Sequence, residues 1–82
     1  MSDERFDMRP VDSSHIEVVG WRETEITDVG ILRVEFSNGA LYDYFDVPRG
    51  VFMGILEAPS AGRYLNDWVK PMYQALKVEG GL

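Results

Sequence analysis

The sequence predicts an α+β domain, a small three-stranded antiparallel sheet (a meander) followed by two or three short helices packed on one of its faces. Three observations predict it. Apolar and polar residues alternate over Gly30–Phe36 and again over Ala40–Tyr44, which is the period of a strand. Asn38-Gly39 lies between those runs, and Asn-Gly between alternating segments is the strongest short-range signal of a hairpin. Beyond Val47 the apolar spacing lengthens, and Pro48, Pro59 and Pro71 divide the chain into helix-sized pieces. Strands followed by helices build an antiparallel sheet with helices on one face.

The elements follow in order. Residues 1–11 carry a dense mixture of charges around Phe6 and Met8, with Pro10 against any helix. They read as a flexible arm, with Val11 placed to join the fold. Ile16-Glu17-Val18-Val19-Gly20-Trp21 is the first strand, and Gly20 inside it suggests a bulge or a close backbone approach. Arg22–Val29 is a polar loop, with Glu25-Ile26-Thr27 as a candidate edge segment.

The hairpin register can be argued from burial. With a two-residue loop at Asn38-Gly39, Val34 faces Asp43 and a carboxylate joins the apolar face. With a three-residue loop at Ser37-Asn38-Gly39, Val34 faces Tyr42, Leu32 faces Tyr44, and Arg33 faces Asp43 on the other side. A one-residue slip exchanges the faces, and burying a lone carboxylate costs several kcal/mol, which favours the three-residue loop.

Pro48 suits the first position of a helix, where its missing N–H costs nothing, and Val51, Phe52, Ile55, Leu56 and Ala58 supply an apolar stripe before Pro59. Ser60 is a natural N-cap for a second helix through Tyr64, Leu65, Trp68 and Val69, which Pro71 ends. Met72–Lys77 adds one or two helical turns, so residues 72–82 form a partly helical tail around a domain at 12–71. The expected core holds Ile16, Val18 or Val19, Leu32, Val34, Phe36, Tyr42, Tyr44, Phe52, Ile55, Leu56, Leu65 and Trp68.

Composition narrows the function. Eighty-two residues make one domain. Ordering costs about 1.5 kcal/mol per residue, which apolar burial roughly cancels, so good packing or oligomerisation must supply the margin; a homodimer fits this size. The absence of cysteine excludes disulfides, thiolate metal sites and cysteine nucleophiles, and one histidine excludes a multi-histidine site. No segment approaches the ~20 apolar residues that span a bilayer. The first residues form no secretory signal, so a cytoplasmic protein without membrane contact is expected. The net charge is −6, unevenly placed: residues 13–46 carry −5 and residues 47–77 carry +2.

The search for chemistry yields no catalytic set. Ser14 and His15 are neighbours at a strand entrance, where adjacent side chains diverge. His15, Glu17 and Asp12 read as a solvated strand edge, and no Walker, GxGxxG or calcium-loop motif is present. Asp43 is spoken for by Arg33 in the favoured register. No metal or cofactor is therefore expected. Ser60-Ala61-Gly62-Arg63 puts a hydroxyl, a glycine and an arginine at a helix start, where an anion can bind, although a plain N-cap is the simpler account. Arg49, near the start of the first helix, is placed where it could converge with it.

The chain resembles the KTSC domain family, named for the carboxy-terminal region of lysyl-tRNA synthetases. The resemblance covers about residues 12–71 and rests on Ser13-Ser14-His15-Ile16, Val19-Gly20-Trp21, Leu32, Val34, Phe36, Asn38-Gly39, Tyr42-Asp43-Tyr44-Phe45, Val47-Pro48, Ala58, Ser60, Gly62, Tyr64 and Asn66. It implies a free-standing, mostly bacterial module of unknown role, for which association of the family with the synthetase suggests RNA or tRNA as partner. An acidic chain limits such binding to a weak, salt-sensitive contact. A non-enzymatic binding module is thus expected, with Tyr44, Arg49, Ser60, Gly62, Arg63, Tyr64, Asn66 and Lys70 as its surface. Tyr44 presents only its hydroxyl at the rim, its ring packing in the core. A protein-interaction or self-association module is the alternative, motivated by surplus apolar residues such as Phe6, Met53, Met72 and Tyr73.

Overall fold

The computed structural model describes residues 6–78. Among them five strands form one antiparallel sheet in sequence order: β1 (Asp7–Pro10), β2 (Ile16–Glu23), β3 (Val29–Phe36), β4 (Leu41–Pro48) and β5 (Ala75–Lys77). Between β4 and β5 run α1 (Arg49–Glu57), α2 (Ala61–Tyr64) and a π-helical turn, Leu65–Val69. The architecture is an α+β meander as expected, with five strands in the sheet rather than three. Asp7–Pro10 of the supposed arm pairs with β2, Met8 opposite Gly20. Ala75–Lys77 of the supposed helical tail pairs with β4, Tyr42 opposite Lys77. Both edge strands are exposed along their length and lack alternation, so neither shows the apolar period that announces a strand. The remainder of the arm and tail, 1–5 and 79–82, lies outside the described residues.

The hairpin takes the three-residue loop. Leu32 faces Tyr44, Val34 faces Tyr42 and Arg33 faces Asp43. The Phe36 amide donates to the Ala40 carbonyl at 2.8 Å. Gly39 sits at φ 93°, a left-handed conformation open to glycine. On the outer face Arg33 binds Asp43 in bidentate fashion, at 2.7 and 2.9 Å, and Phe6 covers the guanidinium at 4.2 Å. The Asp43 hydrogen bond raises the Arg33 pKa, outweighing the opposing effect of burial.

Further along, Leu32 pairs with Tyr44 but Gly30 with Val47. Two residues of β4, Phe45 and Asp46, therefore face Ile31 alone, and Asp46 adopts φ 59°. This bulge turns both Tyr44 and Val47 inward despite their odd spacing, and so Val47 is a core residue that period-2 reading misses. Of the two readings of Gly20, a bulge or a close approach, the bulge falls elsewhere, between Ile16 and Val18, and the close approach is made by the Met8 side chain, whose sulfur lies where a Cβ would be. Residues 24–28 form a turn with no edge strand, the Val29 amide bonding to the Ile26 carbonyl at 3.1 Å.

Helix α1 begins one residue later than expected, with Pro48 as its extended N-cap, and ends before Ala58, held extended ahead of Pro59. The Lys70 amide bonds the Leu65 carbonyl five residues back at 2.9 Å. That wider turn keeps Leu65 and Val69 buried and swings Trp68 out to 61% exposure, which corrects its place in the expected core. Trp21 fills the interior instead, its indole N–H donating to the Val47 carbonyl at 3.0 Å. The core joins Ile16, Val19, Leu32, Val34 and Tyr44 to Phe52, Ile55, Ala61, Leu65 and Val69, while Phe36, Tyr42 and Leu56 are half-buried against it. No helix among the described residues is long and apolar enough to cross a membrane.

Gly30 packs so closely on the Arg22 backbone that a Cβ would collide with its carbonyl oxygen, whereas Gly50 opens onto space. Gly30→Ala is expected to destabilise by about 1–3 kcal/mol through forced backbone movement, and Gly50→Ala to stabilise by up to about 1 kcal/mol through helix propensity. Urea unfolding midpoints read both, and equal midpoints for the two variants would contradict this packing.

Candidate functional site

The helical layer covers the end of the sheet that carries Trp21 and Leu32, but stops short of the hairpin corner. There Phe36 and Tyr42 are half-buried and meet edge to face, centroids 5.7 Å apart. They line a hollow of about 620 Å³. One wall is the hairpin, from Phe36 through Asn38 to Tyr44; another is the chain leaving the π-helical turn, with Lys70, Tyr73 and Ala75; the third is Ser14 and His15. A second hollow of about 540 Å³ shares Ser14, His15, Phe36 and Lys70 and continues over Ser60, Gly62, Arg63 and Asn66. Together they make one trough, aromatic at the sheet end and polar at the helix end, with Lys70 at the join and its ammonium 5.4 Å from the Phe36 ring centre.

Charge is distributed unusually for so acidic a chain. Among the described residues no Asp or Glu lines the aromatic hollow. Asp67, the acid lining the polar one, lies 3.8 Å from Arg63.

Five of the residues expected at a binding surface, Ser60, Gly62, Arg63, Asn66 and Lys70, line the polar hollow together. Ser60 also caps α2, its hydroxyl accepting from the Arg63 amide at 3.3 Å. Tyr44 forms part of the floor of the aromatic hollow, its ring buried. Tyr64 turns away and packs over Gly54 of α1. Arg49 does not converge with Arg63. It lies 5.3 Å over the Trp21 ring, in a separate depression with Asp7 and Glu23. Sequence reasoning counted Tyr73 only among surplus apolar residues, and it missed Phe36 and Tyr42 as lining residues, because an aromatic at an apolar-face position reads as core. Their one available signal was the shortness of the helices between three prolines, too short to roof a sheet of this length.

Ser14 and His15 do not diverge as expected. The Ser14 hydroxyl lies 2.9 Å from His15 Nδ1, because the Ser13 hydroxyl accepts from the His15 and Ile16 amides and tightens the chain into a turn before β2. The pair is exposed, and no carboxylate among the described residues orients the imidazole by a hydrogen bond. The arrangement offers polar groups to the trough without the three-part relay of a nucleophile, base and orienter. Among the described residues no three His, Asp or Glu side chains gather as a metal site.

The family model of the KTSC domain matches residues 12–73. This chain belongs to the KTSC domain family. A KTSC domain protein of Yersinia pestis, known from its crystal structure, superposes with a TM-score of 0.76 at 27% identity, over 90% of this chain and 99% of that one. A protein of Tsukamurella paurometabola is 44% identical over 69 residues, 84% of this chain and 97% of its own length. A lysine–tRNA ligase of Nostoc punctiforme is 37% identical over 43 residues, which make up 52% of this chain but 8% of the ligase.

In this KTSC domain the central Tyr42-x-Tyr44 has both rings on the inner face, one in the trough wall and one in its floor. Burial raises the Tyr44 pKa above its ordinary 10.0, with a smaller push from Tyr42. The folded state therefore holds the Tyr44 proton where the unfolded chain releases it, so this contribution to stability is full below pH 10.0 and is lost as pH rises through the folded value. Urea midpoints should fall more steeply above pH 10 for the natural chain than for Tyr44→Phe; parallel curves would show that the hydroxyl is solvated.

Proposed function

We propose that this KTSC domain is a small non-catalytic module that binds single-stranded RNA weakly through the trough. The observation that carries this reading is the hollow itself: in a chain of net charge −6, its lining among the described residues holds aromatic rings and a lysine and no acid. Single-strand binding combines flat apolar surface for bases with cations for the backbone. Tyr42 and Tyr73 supply the first, Lys70 and Arg63 the second. A duplex offers no free base face to such rings, which favours single strands. The similarity to a segment of lysine–tRNA ligases supports an RNA partner, and the small number of cations keeps the affinity low.

Fluorescence anisotropy of a labelled RNA decamer at rising salt tests this. Two to three phosphate contacts on a single strand give a log–log slope of about −1.4 to −2.1, and removing one contact by Lys70→Ala lowers its magnitude by about 0.7. Unchanged anisotropy at low salt and tens of micromolar protein would remove the reading.

A further inference from the structure

We propose that the aromatic hollow takes one unpaired nucleotide per domain, its base lying against Tyr42 and Tyr73 and its phosphate held by Lys70. The inference rests on the RNA reading above and narrows it from a strand to a single oriented nucleotide.

Shape is the first argument. A hollow of about 620 Å³ lies within the size range of sites that hold one small ligand. Proteins that follow a strand across several nucleotides set out successive exposed rings, one per base. Here Phe36 and Tyr42 stand at 85° to one another, so they form a corner and not a row. Lys70 stands over Phe36, which places Phe36 under the cation and points to Tyr42, with Tyr73 across the hollow, as the surface for the base.

Charge gives the orientation. The Lys70 ammonium is 5.4 Å from the Phe36 ring centre, so cation and aromatic corner lie within the span of one nucleotide. Lys77, directly opposite Tyr42 in the β4–β5 register, adds positive charge on the same side. Among the described residues no carboxylate lines the hollow, so its described lining suits a phosphate. The polar hollow with Arg63 continues from Lys70 and gives the strand a way out toward the next phosphate.

Competition against the labelled RNA decamer, at matched ionic strength, separates the levels of this account. Adenosine 5′-monophosphate should displace the RNA at least fivefold better than either ribose 5-phosphate or adenosine, since each of those lacks one half of the recognised group. Tyr42→Phe should preserve that preference and Tyr42→Ala should bring it close to one; Tyr73→Ala provides a second variant should the first fail to fold by circular dichroism. If the RNA binds but the mononucleotide competes no better than ribose 5-phosphate, the single-nucleotide site is wrong and the RNA reading stands. If the RNA does not bind, both fall.

Discussion

Ser37, Asn38 and Gly39 form a three-residue loop closed by the left-handed Gly39, and the position of every side chain on β3 and β4 depends on it. A strand alternates faces residue by residue, so a slip of one would carry Asp43 into the core and Tyr42 and Tyr44 out to solvent. In the register adopted, the faces separate by chemistry. Arg33 and Asp43 pair on the outer side beneath Phe6, while Leu32, Val34, Tyr42 and Tyr44 share the inner side with the helices. The turn fixes the count, and the cost of a buried carboxylate enforces it.

The trough is a consequence of what the helices leave uncovered. α1 spans nine residues and α2 four before the chain widens into a π-helical turn. That turn keeps Leu65 and Val69 on the core and then releases the chain into β5, which covers the edge of β4 but not the corner at Phe36. Lys70 is carried to that corner as the residue directly after the turn. The same widening that exposes Trp68 thus places the cation beside the aromatic pair, so local helical geometry and the composition of the hollow are linked.

Much of this was legible in the sequence, for identifiable reasons. The hairpin, its register, the Arg33–Asp43 pair and the Ser60 cap follow from local rules of spacing and hydrogen bonding that short stretches contain in full. β1 and β5 were not legible, because edge strands exposed on every residue carry no alternation and form only when a neighbour offers its backbone. Val47 was hidden by the Asp46 bulge, which breaks the period-2 count. Trp68 was misplaced because α-helical and π-helical spacing differ by one residue in which side chain returns to the core. Of the expected surface, Ser60, Gly62, Arg63, Asn66 and Lys70 line one hollow, while Arg49 is drawn off by stacking on Trp21. Phe36 and Tyr42 lie on the core face by period, and only the extent of the helical roof decides that they border a hollow.

Against a net charge of −6, the aromatic hollow holds no acid among the described residues, and the central claim is that binding is confined there. Amide chemical-shift mapping during titration with a short single-stranded RNA at low salt tests this most directly. The account predicts shifts concentrated at Ser14–His15, Phe36–Tyr42, Arg63–Asn66 and Lys70–Tyr73, with the outer sheet face unchanged. Shifts centred on Arg33, Asp43 and Phe6, or on Arg49 and Trp21, would contradict it.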